Sequence, residues 1–86
     1  MTYRIEFLAS AQKQFSKLPA KERKRIDQKI LALAEDPRPP GAVAMKESKK
    51  GLLRIRVGNY RVIYAIEDDR LIVVVVRVSH RKDVYQ

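Results

Sequence analysis

The sequence predicts an α+β fold in which an N-terminal helical hairpin packs on one face of an antiparallel sheet. Three observations support this class. Polar and apolar residues alternate at the start of the chain, apolar residues then recur at helical intervals, and strand-like runs fill the second half. The predicted order is β-α-α-β-β-β. Eighty-six residues, 45% of them hydrophobic, are enough for one core, so a single domain is expected over residues 1–86.

The first element is a short strand at residues 3–7. Tyr3, Ile5 and Phe7 alternate with Arg4 and Glu6. This two-residue period is typical of a strand with one buried face.

Two helices follow the first strand. The first carries apolar residues at intervals of three and four, namely Leu8, Ala11, Phe15 and Leu18. Pro19 interrupts that pattern, and a second helix begins at about Ala20 with the apolar stripe Ile26, Ile30 and Leu33. The segment DPRPPG at residues 36–41 ends the second helix, because proline lacks the amide proton and restrains the residue before it. A loop is expected from there to about Lys50.

The remaining elements are strands. Residues 52–57 and 60–66 are separated by Gly58-Asn59, a two-residue connection that favours a tight hairpin. A third run at residues 71–78 is reached through Asp68-Asp69. These three runs complete the predicted sheet.

The charge of the chain indicates a polyanionic partner. Nineteen Lys and Arg against ten Asp and Glu give a net charge of +9, and such a field attracts nucleic acids or acidic proteins. The field alone does not choose between these two partners, and a solubilising charge excess is the simpler alternative.

Residue usage also bounds the cofactors and the location. The chain has no cysteine and one histidine, so disulfides and thiolate zinc sites are excluded, a histidine-based metal site is not expected, and no cofactor is predicted. The longest apolar run, residues 71–76, is too short to span a bilayer, and the charged N-terminus differs from a signal peptide. A cytoplasmic protein without a membrane partner is therefore expected.

An arginine cluster follows from the register of the predicted hairpin. With Gly58-Asn59 as the turn, Arg56 faces Arg61 across the ladder, and Arg54 lies on the same face of the sheet. Like charges opposite each other are destabilising, and no acidic residue occurs within residues 52–66. We expect the cluster to bind an anion, either phosphates or the carboxylates of a partner. The alternative is a hydrated arginine face that binds nothing.

The register of the third strand has two solutions. A two-residue turn at Asp68-Asp69 adds one set of residues to the arginine side, Val76, Val78 and His80. One bulged residue adds the other set instead, Arg77, Ser79 and Arg81. In either case the tail can bring His80, Arg81 and Tyr85 to the rim of the arginine cluster.

Two segments, LLRIRVGNYRVIYAI and VSHRKDVY, resemble the RelE/ParE superfamily of bacterial toxins. Together with the short first strand and the basic helical hairpin, the resemblance covers nearly the whole chain. It implies a toxin of a type II toxin–antitoxin system. Members of the RelE branch are metal-independent endoribonucleases that cleave messenger RNA in the ribosomal decoding site, whereas members of the ParE branch poison DNA gyrase.

The resemblance also implies which residues act. Arg54 and Arg56 stand where the RelE branch commonly has two lysines, Arg61 matches the arginine after the hairpin turn, and Arg81 matches the tail arginine. Tyr85 matches the tail tyrosine that stacks on a base. This combined cationic and aromatic set favours the RelE branch over the ParE branch.

The chemistry of RNA cleavage fits these residue types. Attack by the substrate's own 2′-hydroxyl requires a base, neutralisation of the charged transition state and protonation of the leaving oxygen. Guanidinium groups provide forked donors for phosphate oxygens, but Arg54 and Arg56 cannot serve as bases. His80 is the candidate base, because imidazole changes protonation near neutral pH. Alternatively His80 is an exposed tail residue, and Tyr85 folds back onto the core.

The sequence therefore predicts a ribosome-dependent messenger-RNA endonuclease that inhibits translation. Its expected partners are the ribosome, messenger RNA and a cognate antitoxin, an acidic segment of which wraps the toxin in a hetero-oligomer. One alternative is a ParE-like toxin that acts on gyrase by protein interaction. The other is a basic RNA-binding module without catalysis.

Overall fold

Two helices and a five-stranded sheet make up the part of the chain that the structure describes, residues 2–46 and 51–80. The structure is a computed structural model. The elements in chain order are β1 (Arg4–Phe7), α1 (Ala9–Ser16), α2 (Ala20–Glu35), β2 (Val43–Ala44), β3 (Leu53–Val57), β4 (Tyr60–Glu67) and β5 (Ile72–His80). The strands lie in the order β1-β5-β4-β3-β2. The predicted α+β class and the N-terminal pair of helices are confirmed.

The sheet is mixed, because β1 runs parallel to β5 while the other three strand pairs are antiparallel. A sheet that is antiparallel throughout was expected from the sequence. The alternation of apolar and polar residues marks β1 as a strand, but it does not show which strand pairs with β1 or in which direction. Beside β5, Ile5 pairs with Val73 and Phe7 pairs with Val75, so the apolar residues of β1 share a face with two buried valines.

A second difference is β2, which lies within the segment predicted as a loop. Val43 pairs with Arg54 and Ala44 pairs with Leu53. Two residues are too few to show the alternation by which a strand is recognised in a sequence. Because β2 covers only the start of β3, the outer edge of residues 55–57 has no neighbouring strand within the described residues.

The core lies between the helices and one side of the sheet, which is called the helix face below. The predicted stripe of α2 is confirmed, since Ile26, Ile30 and Leu33 are all buried. The sheet contributes buried residues from its three longest strands, namely Ile55, Val57, Val62, Tyr64, Val73, Val75 and Val78. Each large aliphatic side chain buried in this way stabilises the fold by about 1.5–3 kcal/mol. The opposite side of the sheet is called the open face.

Prolines set the ends of α2. Pro19 stands at the N-cap, where a missing amide proton has no effect on helical hydrogen bonding. Asp36 at the C-cap is extended, with φ −143° and ψ 94°, because Pro37 disfavours a helical conformation in the residue before it. In the described ranges, neither helix is long and apolar enough to cross a membrane.

Polar side chains link residues 36–41, after α2, to the turn between β4 and β5 by hydrogen bonds. Asp68 accepts hydrogen bonds of 3.2 and 2.8 Å from the Arg38 guanidinium and one of 2.7 Å from the Tyr3 hydroxyl. These bonds lower the pKa of Asp68 to about 2, with Arg38 as the larger cause, and the bond to Asp68 raises the pKa of Tyr3. The Tyr64 hydroxyl donates to the Pro37 carbonyl at 2.8 Å. These contacts fix the loop that leads to β2.

Candidate anion-binding face

The hairpin of β3 and β4 has the register predicted from its turn. Val57 pairs with Tyr60, and Arg56 pairs with Arg61. Gly58 in the turn has φ +60°, a conformation that glycine adopts without steric cost and that a two-residue hairpin turn requires. The position of the arginines on one face is therefore confirmed.

Three arginines of this hairpin lie on the open face. Ile55 and Val57 alternate with them and are buried on the helix face, so Arg54 and Arg56 point the other way, together with Arg61. Arg54 and Arg61 are half-buried, whereas Arg56 is exposed. Arg54 and Arg56 make no hydrogen bond or ion pair within the described ranges. Their charge is therefore available to a ligand.

The three arginines also line one hollow, which we call the arginine hollow. Its volume is about 320 Å³. The lining residues come from β3, β4, β2 and the loop before β2, namely Gly41, Val43, Arg54, Ile55, Arg56 and Arg61. Three guanidinium groups from two strands thus converge on one concave site, and none of the described residues in its lining is acidic.

The register of β5 contains a bulge opposite Ile63 and Tyr64. Ile63 pairs with Arg77, whereas Tyr64 pairs with Val75, which leaves Val76 without a partner. This is the second of the two solutions expected from the sequence. The physical reason is that Val75 and Val78 are both buried in the core. They are three residues apart, so in a regular strand they would face opposite sides of the sheet, and the bulged residue between them lets both face the helices.

Because of the bulge, a fourth arginine joins the open face. Arg77 pairs with Ile63, whose other neighbour is Arg54, so the two arginines lie in one row about 10 Å apart, twice the strand spacing. Arg77 is exposed and makes no ion pair or hydrogen bond in the part of the chain described. The sequence assigned it no role, since its face depends on a bulge that the local pattern does not show.

Ser79 joins the same face and pairs with Arg61. It is 6% exposed, and its hydroxyl oxygen has no hydrogen-bond partner among the residues that the structure describes. A buried hydroxyl without a partner is uncommon and is often found at functional sites. The Ser79 hydroxyl therefore adds a second type of hydrogen-bond donor beside Arg61.

His80 lies on the other side of the sheet from the arginines. It pairs with Tyr60, which shares its face with buried Val62, and the two rings meet edge to face at 5.1 Å and 86°. Two residues earlier, the Val78 amide donates to Gln14 at 2.9 Å, which holds the end of β5 against α1. The structure therefore does not bring His80 together with Arg61 on the open face.

The two remaining predicted site residues, Arg81 and Tyr85, lie outside the described residues. Among those described, the site consists of cations and one hydroxyl. Such a set can bind phosphate or carboxylate oxygens and can neutralise a charge that develops on phosphate.

Comparisons with known proteins identify the family to which this fold belongs. Residues 5–85 match the family described as the ParE toxin of the type II toxin-antitoxin system parDE. The chain belongs to this family, within the RelE/ParE superfamily that the sequence motifs indicated, and is a toxin of a type II toxin–antitoxin system.

Individual relatives extend over nearly the whole chain. The protein is 31% identical to Toxin RelG of Mycobacterium tuberculosis over 88 residues, which cover 100% of this chain and 99% of the relative. Among solved structures, the RelBE2 toxin–antitoxin complex of M. tuberculosis matches with a TM-score of 0.84 and 27% identity, over 94% of this chain and 93% of that one. The RelE–RelB complex of Pyrococcus horikoshii matches with a TM-score of 0.81 and 25% identity, over 94% and 97% of the two chains.

Proposed function

We propose that this toxin is a metal-independent endoribonuclease that cleaves messenger RNA on the ribosome and thereby inhibits translation. The observation that carries the proposal is the convergence of Arg54, Arg56 and Arg61 on one hollow of about 320 Å³. Two of these arginines have no partner within the described residues. A phosphodiester can accept charge-assisted hydrogen bonds from these guanidinium groups.

In the proposed reaction, the 2′-hydroxyl of the message attacks the adjacent phosphate. The new bond joins the 2′-oxygen to phosphorus, the bond to the 5′-oxygen breaks, and the products carry a 2′,3′-cyclic phosphate and a 5′-hydroxyl. Arg54, Arg56 and Arg61 bind the phosphate oxygens and stabilise the charge that grows in the transition state. Arg81 is proposed as a further cation and Tyr85 as the aromatic ring on which a base stacks.

Two roles are proposed for His80 in this scheme. It remains the candidate base that the sequence suggested, since the arginines of the hollow cannot accept a proton. Its edge-to-face contact with Tyr60 gives it a second role, which is to hold the end of β5 just before the tail residues. The two roles predict different behaviour when histidine is replaced by phenylalanine.

A cognate antitoxin is the second proposed partner. The two solved structures described above are both complexes of a toxin with its antitoxin. We propose that an acidic segment of an antitoxin covers the open face and places carboxylates on the same arginines. Occupation by the antitoxin and by RNA would then be mutually exclusive, and the inactive form would be a hetero-oligomer in the cytoplasm.

A second candidate function is inhibition of DNA gyrase by protein interaction. It is favoured by the match to the family described as ParE toxin. In this case the arginine hollow would bind acidic groups of a protein, and no message would be cleaved.

One experiment separates these functions. Purified toxin is added to ribosomes translating a defined message, the new 5′ ends are mapped, and gyrase supercoiling is measured in parallel. New ends on ribosome-bound message and uninhibited gyrase support the proposal. Inhibited gyrase with intact message supports the second function, and binding of RNA without either effect indicates a non-catalytic module.

A further inference from the structure

A second basic concavity lies on the helix side of β3, and we call it the α2 cleft. It has a volume of about 360 Å³. Its lining comes from one side of α2 and from the end of β3 with the following turn, namely Arg25, Gln28, Lys29, Ala32, Arg56, Val57 and Gly58. Three cations and an amide therefore surround the site, and its lining contains no acidic side chain from the described part of the chain.

The α2 cleft is connected to the arginine hollow around the edge of the sheet. A third, smaller concavity of about 220 Å³ lies between them. It shares Lys29, Ala32 and Arg56 with the cleft, and Gly41, Ile55 and Arg56 with the hollow. Arg56 lines all three. This path exists because β2 pairs only with Leu53 and Arg54 and leaves the following edge of β3 without a neighbouring strand in the described part of the chain.

The cations of the cleft are accessible. Lys29 is exposed and makes no ion pair or hydrogen bond within the described residues. Arg25 has one exposed ion pair, to Glu22 at 4.0 Å, which contributes little in water. The Arg25 guanidinium lies over the hairpin turn, with its nitrogens 3.4 and 3.5 Å from the point where a Cβ on Gly58 would stand. A glycine at this turn therefore lets Arg25 lie close to the backbone beside Arg56.

We propose that this path, from the arginine hollow past Arg56 to Arg25 and Lys29, holds the phosphate backbone of an RNA strand as it leaves the reacting phosphate. The ligand is the phosphodiester chain of the message itself, continuous with the phosphate in the arginine hollow; binding of ribosomal RNA alone is an outcome that the test distinguishes. An acidic peptide fits less well, because the described lining of the cleft offers just Ala32 and Val57 as apolar side chains, and peptide segments bind chiefly through larger apolar anchors. The inference rests on the proposed function for the identity of the ligand.

The test measures binding without cleavage, so that it stays separate from the proposed catalysis. The probe is 2′-O-methyl single-stranded RNA, which keeps its phosphates and cannot undergo 2′-hydroxyl attack. A long probe reaches beyond the hollow, and a dinucleotide does not. Empty ribosomes serve as a second probe for ribosomal RNA. The double variant Arg25→Gln and Lys29→Gln is compared with a control double variant, Lys13→Gln and Lys17→Gln, whose positions lie in the last turn of α1 and at its C-cap. Each pair of substitutions removes two positive charges and lowers the net charge from +9 to +7.

The cleft variant should bind the long probe about tenfold or more weakly than the parent, with the dinucleotide unaffected. The slope of log affinity against log salt should fall by about 1.4, which is about 0.7 for each lost phosphate contact on a single strand. Parental binding of the long probe by a cleft variant with parental thermal stability would overturn the proposal, whether or not binding to empty ribosomes is lost. Equal losses in the control pair would contradict it too. Intact RNA binding with loss of antitoxin binding would also overturn it.

Failure of the proposed nuclease function and failure of the cleft proposal give different results. If the proposed nuclease function is wrong but the cleft binds RNA, the binding results above stand and no message is cleaved. If the nuclease function is right and the cleft is not used, the cleft variant cleaves with parental KM and kcat.

Discussion

Arg56 and Arg61 lie directly opposite each other in the ladder between β3 and β4, and both side chains line the arginine hollow. A directly opposed pair of like charges destabilises a sheet by about 0.2–1 kcal/mol. Among the described residues that line the hollow, none is acidic. Binding of an anion would therefore relieve the repulsion between the two arginines.

The first prediction follows from that repulsion. Arg56→Ala should leave the free energy of unfolding unchanged or raise it by up to about 1 kcal/mol, because one of two opposed charges is removed. RNA cleavage should fall by about 10²-fold or more if the guanidinium contacts the reacting phosphate. Denaturant titration and single-turnover cleavage measure the two effects. A loss of stability together with activity would show that Arg56 is structural.

The second prediction concerns Arg77. In the row with Arg54 and Ile63, it is placed to bind a phosphate next to the reacting one. Arg77→Gln should raise KM by about tenfold, because one charge-assisted hydrogen bond to the RNA is lost, and it should change kcat little. Arg70→Gln is the matched control, since Arg70 lies in the turn after β4 and pairs with Glu67 at 3.3 Å. Equal effects of the two substitutions would mean that only net charge matters.

The third prediction separates the two roles of His80. Its contact with Tyr60 predicts that His80→Phe keeps parental cleavage and pH profile, because phenylalanine can make the same edge-to-face contact. His80→Ala should lower the free energy of unfolding by about 0.5–1.5 kcal/mol, which is the value of such a pair. If both variants lose about 10²- to 10⁴-fold in single-turnover rate and the same limb of the pH profile, His80 is the base.

The fourth prediction concerns Asp68 and the pH dependence of stability. Its pKa in the folded protein, about 2, lies below the ordinary value of 3.8, so the ionised carboxylate stabilises the fold above about pH 4. This contribution is lost as the pH falls from about 4 toward 2. Tyr3 has a pKa raised above 10.0, so its contribution is present below about pH 10 and is lost as the pH rises further.

Acid unfolding of Asp68→Asn checks this prediction. The variant should be less stable than the parent at neutral pH, and the difference should shrink as the pH approaches 2. Asp69→Asn is the control, because Asp69 makes no ion pair or hydrogen bond among the described residues. A constant difference between parent and Asp68→Asn over this range would contradict a role for the carboxylate charge.

Much of the fold could be predicted from local sequence. Gly58 and Asn59 set the register of one hairpin, and that register was enough to place Arg56 opposite Arg61. The stripe of α2 was equally clear, since three buried residues recur at helical spacing. These features depend on neighbours in the sequence.

The features that the sequence did not predict depend on contacts between distant segments. The position of β1 beside β5 follows from packing of its apolar residues with Val73 and Val75. The bulge in β5 follows from the need to bury both Val75 and Val78, and it decides that Arg77 rather than His80 faces the arginines. Both possibilities for the third strand were visible in the sequence, but only the packed core selects one.

The central claim is that the arginine hollow carries out RNA cleavage by 2′-hydroxyl attack, and analysis of product ends tests it most directly. Ribosomes stalled on a defined message are incubated with the parent or with a variant in which Arg54, Arg56 and Arg61 are all glutamine. The parent should produce fragments ending in a 2′,3′-cyclic phosphate and a 5′-hydroxyl, and the folded variant should leave the message intact. An intact message with the parent, or fragments ending in a 5′-phosphate, would contradict the claim.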